Sequence, residues 1–264
     1  MKRSVKVVRW FGGNQASSVN RIRSCRFSSV IHHMPSFDTS YPGLELLHDE
    51  PPVYQIRNFI SEDMCDEFVS AATTFGERVD VSRTYLLHKV ANTPEADKVS
   101  LSQATRSSTT WYLQNNLVEG LQQRVSSLTG HAISTFEEAQ VVRYKKGEKY
   151  LWHQDAIPKG KGNPHAGNRL ATVLVYLNTL PDRSTQDSVD SAWPPSESNL
   201  SGYTSFRDFK LDIRPEKGKC VVFFPCFYDG TPDTRTAHCS HSIQGGEEEK
   251  WIAQIWVHQR PYLF

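Results

Sequence analysis

The chain has 264 residues, 38% of them hydrophobic and 11% aromatic, with 30 Lys and Arg against 29 Asp and Glu and a formal net charge of +1. That much apolar material builds a sizeable core, which excludes wholesale disorder and predicts between one and two domains. The balanced charge argues against a dedicated nucleic-acid binder, and with no apolar run approaching 18 residues no membrane span is predicted.

Residues 1–37 carry Lys2, Arg3, Lys6, Arg9, Arg21, Arg23 and Arg26, many serines and no acidic residue. This composition suits an organelle transit peptide or an untargeted flexible arm, and it lacks the unbroken apolar stretch of a secretory signal. The expectation is a basic arm over 1–45 that stands outside the fold, with the protein in an organelle or the cytoplasm. The cysteines at 25, 65, 220, 226 and 239 are odd in number and form no CxxC pair, so reduced thiols are expected.

From Tyr54 the pattern changes. YQIRNFI reads as a short strand. Ser61, followed by Glu62 and Asp63 and by Met64, Phe68, Val69 and Ala72, reads as a capped amphipathic helix. Leu117, Leu121, Val125 and Leu128 recur at helical spacing before a stop at Gly130. The polar stretch 88–104 between the two helices reads as loop. Residues 46–135 are thus expected to form a support region of helix and strand.

Beyond Ser134 the period becomes strand-like. AQVVRY, KYLWHQD, RLATVLVYLN, KCVVFF and KWIAQIWVH are β-branched or aromatic runs punctuated by Gly, Pro, Asn and Asp. The prediction is a mainly β core over 136–264, a sandwich or jelly roll buttressed by the upstream helices. It is interrupted by an insertion, 181–210, whose Ser, Asp and Pro favour disorder while Trp193, Tyr203, Phe206 and Phe209 favour an ordered lid.

His153 and Asp155 lie two apart on the strand that begins near Tyr150, so alternation places imidazole and carboxylate on one face. A third ligand must come from elsewhere. His238, after the turn-rich DGTPDTRTAH, is one candidate and His241 is its rival; His165, His241 and His258 also read as structural or surface imidazoles. Two histidines and one carboxylate leave coordination positions open, which suits non-haem Fe(II) better than a closed zinc site. Lys250 opens the last strand, where it either pairs with an anion in the interior or points outward as an edge-strand charge.

Tyr144, Gly147, Tyr150, His153 and Asp155 in YKKGEKYLWHQD, the YLN at 176–178, KGKCVVFFP, DGTPDTRTAHCSHSI and EKWIAQIW together resemble the Fe(II)- and 2-oxoglutarate-dependent prolyl 4-hydroxylases of the alpha-subunit catalytic type. NFISEDMCDEF and Arg106-Ser107-Ser108 match the family's upstream elements more loosely.

The resemblance implies a double-stranded β-helix in which His153, Asp155 and His238 ligate Fe(II). It further implies that Lys250 binds the distal carboxylate of 2-oxoglutarate, that Tyr144 and Thr172 also contact this co-substrate, and that Tyr150 contacts substrate. The activity it implies is hydroxylation of prolyl residues in a peptide or protein, with dioxygen as second co-substrate, ascorbate as reductant and succinate as by-product. By family habit alone the compartment is the endoplasmic reticulum. Where relatives follow YLN with Gly-Gly-Glu-Thr, this chain runs into its insertion. Two other readings are the same chemistry on a non-prolyl side chain or small molecule, and a catalytically silent binding module.

Overall fold

The β-branched and aromatic runs pair as antiparallel strands. The computed structural model describes residues 28–79, 106–158, 161, 163–182, 200–244, 246 and 248–262. Among these, β1 (Leu44–His48), β2 (Val53–Ile56), β3 (Glu77–Val79), β4 (Thr109–Leu113), β5 (Ala139–Tyr144), β7 (Arg169–Tyr176), β10 (Cys220–Phe223) and β12 (Lys250–His258) form an eight-stranded sheet in the order β1-β2-β10-β7-β12-β5-β4-β3. A four-stranded sheet faces it, built from β6 (Tyr150–His153), β8 (Thr204–Phe206), β9 (Leu211–Ile213) and β11 (His238–Ser240) in the order β6-β11-β8-β9. This is the expected jelly roll, mainly β with flanking helices.

The central strand β12 shows why its sequence is apolar throughout rather than alternating. Trp251, Ala253, Ile255 and Val257 join the core beneath the helices, while Ile252 joins the core between the sheets. Both faces are covered, so all nine residues are buried. The inner core sets Val142, Tyr144, Leu174, Tyr176, Val221 and Phe223 of the large sheet against Phe206 and Ile213 of the small one.

Helices α2 (Glu62–Phe75) and α3 (Asn115–Thr129) cover the outer face of the large sheet through Phe68, Ala72, Leu121, Val125 and Leu128. α2 starts where expected: Ser61 Oγ accepts the Met64 N–H at 3.2 Å, and Glu62 and Asp63 occupy the first turn. α3 stops at Gly130 with φ +69, and a Cβ there would sit 2.6 Å from the Ser36 carbonyl oxygen.

Three boundaries differ from the sequence reading. The arm expected over 1–45 already folds from residue 28: helix α1 (Ser28–His33) and the turn after it bury Val30, Met34 and Phe37 against the helix-side core, and β1 pairs with β2. The basic composition of the first 26 residues masked this apolar spacing, and residues 1–27 lie outside the described set. The division at 135/136 dissolves, because β1 to β4 belong to the same sheet as β5, β7, β10 and β12 and share its core.

The insertion expected over 181–210 is structural from Leu200 onward. Leu200, Tyr203 and Phe206 are buried, and β8 and β9 supply half of the small sheet. Tyr203 and Phe206 therefore belong to the core and Phe209 packs against it, while Trp193 with the rest of residues 183–199, and the loop expected at 88–104, fall outside the described residues. Among the described residues, none of Cys65, Cys220, Cys226 and Cys239 forms a disulfide.

Candidate metal centre

β6 and β11 pair with His153 opposite His238, which brings two imidazoles from distant parts of the chain to ring centroids 4.1 Å apart. β6 ends at His153, so the alternation argument for Asp155 does not hold as stated: Asp155 follows in irregular chain. Its carboxylate still reaches the same point, with Oδ1 3.7 Å from His153 Nε2 and Oδ2 3.7 Å from His238 Nε2. One donor atom from each of the three lies within 4.8 Å of the others.

These separations are too long for hydrogen bonds. Each ring already spends its Nδ1 on a backbone carbonyl, Leu151 O at 2.8 Å for His153 and Thr236 O at 3.1 Å for His238. Nδ1 therefore carries the proton and Nε2 turns a lone pair toward the carboxylate. Three electron-pair donors converging in a buried space call for a cation between them, so the donor set fits a divalent metal.

Electrostatics agree. Burial, and after it the neighbouring His238 ring, holds the His153 pKa well below its ordinary 6.5. Burial alone would raise the Asp155 carboxyl, but the His238 and His153 rings, Arg169 and the Thr172 hydroxyl outweigh it and hold the pKa at about 2.

A supporting layer fixes the carboxylate. Thr172 Oγ1 donates to Asp155 Oδ2 at 2.7 Å, and an Arg169 N–H donates to the Asp155 carbonyl at 3.3 Å. Arg169 is itself paired with Glu137, one N–H meeting Oε2 at 2.8 Å, and Glu137 Oε1 also meets His258 Nε2 at 2.7 Å. His258 is thus a buried structural imidazole, while His165 is exposed.

Lys250 points inward. It is 1% exposed, lies opposite Tyr144 in the β5–β12 register, and donates to Ser240 Oγ at 2.8 Å and Thr204 Oγ1 at 3.2 Å. Its Nζ lies 5.6 Å from the ring centroids of both Tyr144 and Tyr176. Among the described residues no carboxylate pairs with it, and burial lowers its pKa from 10.5 to about 7. A buried ammonium surrounded by hydroxyls and ring faces is a receptor for an anion. Ser240 and His238 project from the same face of β11, roughly 7 Å apart along the strand, so anion receptor and metal centre open on one interior.

The structure separates the remaining sequence candidates. Tyr144 is beside Lys250, its hydroxyl pKa pushed up to about 12 by burial. Thr172 is not: its hydroxyl serves Asp155, and the threonine at Lys250 is Thr204. Thr204 escaped notice because it sits inside the stretch read as insertion, whereas Ser240 was findable two residues after His238. Tyr150 stacks on His153 with centroids 3.4 Å apart and receives the Arg106 guanidinium at 4.8 Å. His241 turns its Nε2 to Ser205 Oγ at 2.8 Å and is no part of the cluster.

Residues 139–258, which contain the whole metal and anion site, match the family described as the 2OG-Fe(II) oxygenase superfamily. The rat prolyl 4-hydroxylase subunit alpha-1 is 27% identical over 191 residues, covering 70% of this chain and 32% of that subunit. The probable prolyl 4-hydroxylase 7 of Arabidopsis thaliana is 25% identical over 217 residues, covering 80% of this chain and 64% of its own length. The chain thus spans about a third of the first relative and under two thirds of the second. Among solved structures, the viral collagen prolyl hydroxylase of Paramecium bursaria Chlorella virus-1, in a 2OG complex, superposes with a TM-score of 0.53 at 22% identity over 78% of this chain and 95% of that one, a likeness of fold.

Proposed function

We propose that this chain, which belongs to the prolyl 4-hydroxylase family of the 2OG-Fe(II) oxygenase superfamily, hydroxylates prolyl residues in a peptide or protein with Fe(II), 2-oxoglutarate and dioxygen. The observation that carries the reading is one interior holding both the His153–Asp155–His238 donor set and the buried ammonium of Lys250, which pairs with no carboxylate among the described residues.

His153, Asp155 and His238 would hold the metal, leaving positions for a chelating co-substrate. When bound, Fe(II) supplies the redox and Lewis-acid chemistry that couples decarboxylation of 2-oxoglutarate to succinate with oxygen insertion into a substrate C–H bond. Lys250 binds the distal carboxylate of the co-substrate by a charge-assisted pair, and Thr204, Ser240 and the Tyr144 ring fix the ammonium's direction. Thr172 and Arg169 hold Asp155 in place. Phe206 and Phe223, with ring centroids 5.7 and 4.6 Å from that of His238, keep water from the inner side.

At the outer side Tyr150 lies on His153, and the next two residues, Leu151 at 42% and Trp152 at 41%, are among the most exposed large apolar side chains described. An apolar and aromatic rim beside the metal suits the pyrrolidine rings of a proline-containing peptide. The long connection from β7 to β8 favours a second reading, the same cofactor chemistry on a non-prolyl group, since it returns to the fold at Leu200 and Tyr203 beside β11.

Incubation with Fe(II), 2-oxoglutarate, ascorbate and proline-containing peptides tests the choice. Succinate should appear together with a peptide heavier by one oxygen on proline. Succinate formation that no proline peptide stimulates would favour the second reading; no succinate under any substrate would remove both.

A further inference from the structure

The N-terminal segment that composition set outside the fold contains a buried histidine. His33, the last residue of α1, is fully buried, its ring stacked on Phe227 with centroids 4.6 Å apart. Its Nδ1 faces the Ser29 carbonyl at 3.1 Å and its Nε2 meets Asp233 Oδ2 at 3.0 Å. Asp233 is 2% exposed and opens the short 3-10 turn Thr234–Thr236 that leads into β11. Its Oδ1 accepts the Arg235 backbone N–H at 3.1 Å, and its carbonyl accepts the Thr236 hydroxyl at 2.8 Å.

That turn touches the metal centre twice. The Thr236 carbonyl accepts the Nδ1 proton of His238, and the Thr234 carbonyl accepts an N–H of Gln154 at 2.6 Å. Gln154 lies between His153 and Asp155, so one turn orients one histidine of the donor set and anchors the segment that carries the other two donors.

The Asp233 backbone N–H ties the turn to the Pro225 carbonyl at 2.8 Å, just after β10, and the Asp233 carboxylate adds side-chain ties. Arg235 also binds Asp233, through Nε at 2.8 Å, but it belongs to the same turn and cannot set its position relative to the sheets. Its outward partner, Glu50, is half exposed, and pairs of that kind hold geometry weakly. Among the described side chains hydrogen-bonded to the Asp233 carboxylate, His33 is the one from another element, and it is the fully buried one.

We infer that His33 is a positioning residue for the metal centre: through Asp233 it clasps the N-terminal helix to the turn that orients His238 and Gln154. The segment from residue 28 is therefore part of the working site. The inference rests on the proposed reading of His153, Asp155 and His238 as metal ligands.

Co(II) binding to the full chain, followed by visible absorption, measures the centre without turnover. His33→Leu keeps the packing on Phe227 and deletes both hydrogen bonds. It should weaken Co(II) binding about 10- to 100-fold, the usual effect of losing a partner that orients a ligand, while the circular dichroism spectrum and melting temperature show the protein fully folded at the assay temperature. His33→Gln, whose amide can still donate to Asp233, should recover most of the affinity. Asp233→Asn reads the clasp from its other side should the His33 variants be unstable, and His33→Leu should add nothing in an Asp233→Asn background. His32→Ala, on the exposed side of the helix, should bind as wild type. Unchanged Co(II) affinity in folded His33→Leu, or losses from His33→Leu and Asp233→Asn that simply add, would overturn the clasp while leaving the metal centre standing. Wild-type protein that takes up no Co(II) would contradict the centre itself.

Discussion

Thr172 places its hydroxyl 2.7 Å from Oδ2 of Asp155, on a strand where it is 1% exposed. The contact fixes one carboxylate oxygen by a charge-assisted hydrogen bond. The threonine chosen from the sequence as a co-substrate contact thus has its hydroxyl on a carboxylate of the donor set.

Replacing Thr172 by Val removes the hydroxyl and keeps the shape. Metal affinity should fall about tenfold, while the 2-oxoglutarate requirement of the metal-saturated protein stays near wild type. Metal titration and co-substrate KM, measured on one preparation, check the separation. A change confined to the 2-oxoglutarate KM would return Thr172 to the role expected from sequence.

Lys250 leads to a proton-linked prediction. Its folded pKa of about 7 lies below the 10.5 of an unperturbed lysine, so between those values the unfolded chain binds the extra proton. Stability of the ligand-free protein should accordingly rise with pH across that window, by the sign of the linkage relation. Binding a dicarboxylate restores the charge, so 2-oxoglutarate should bind with proton uptake at pH 8. Calorimetry in two buffers of different ionisation enthalpy measures it, and Lys250→Ala should abolish the uptake and raise KM by at least about tenfold.

Glu137 behaves in the opposite sense. Burial pushes its carboxyl up, but Arg169 and His258 outweigh that and hold the pKa below the ordinary 4.5. Its stabilisation is full above 4.5 and is lost as the pH falls through the lower folded value. Glu137→Gln leaves Arg169 buried without its carboxylate and should cost about 3 kcal/mol at neutral pH. Denaturant melts at pH 7 and pH 3 should show a smaller pH dependence in the variant than in wild type.

The two histidines after the DGTPDTR turn differ in their partners. His238 Nε2 faces Asp155, whereas His241 Nε2 is engaged by Ser205, itself hydrogen-bonded to Asp212. His238→Ala should abolish succinate formation and His241→Ala should leave most of it. The reverse result would show that the third ligand is misassigned.

Much of this site was legible as sequence because its chemistry sits on short local patterns. His153, Asp155, His238 and Lys250 announce themselves as polar residues at the edges of apolar strands, and α2 and α3 by their caps and apolar spacing. What was not legible depends on long-range pairing. Thr204 meets Lys250 only because β8 pairs with β11, and the aromatic residues of a stretch rich in Ser, Asp and Pro pointed to order but not to a core strand. The N-terminal helix was missed because net charge averages over a segment, while packing depends on the spacing of Val30, Met34 and Phe37. Asp155 joins the cluster from beyond the end of its strand, so a sound expectation came from an alternation that does not extend to it.

On the proposed reading, one interior binds a metal on His153, Asp155 and His238 and an anionic co-substrate on Lys250. Anaerobic calorimetry of 2-oxoglutarate against Fe(II)-loaded protein tests it most directly. One 2-oxoglutarate should bind per chain in the presence of Fe(II), with binding lost in Asp155→Ala and weakened in Lys250→Ala. Wild-type protein with verified iron content that binds no 2-oxoglutarate would contradict it.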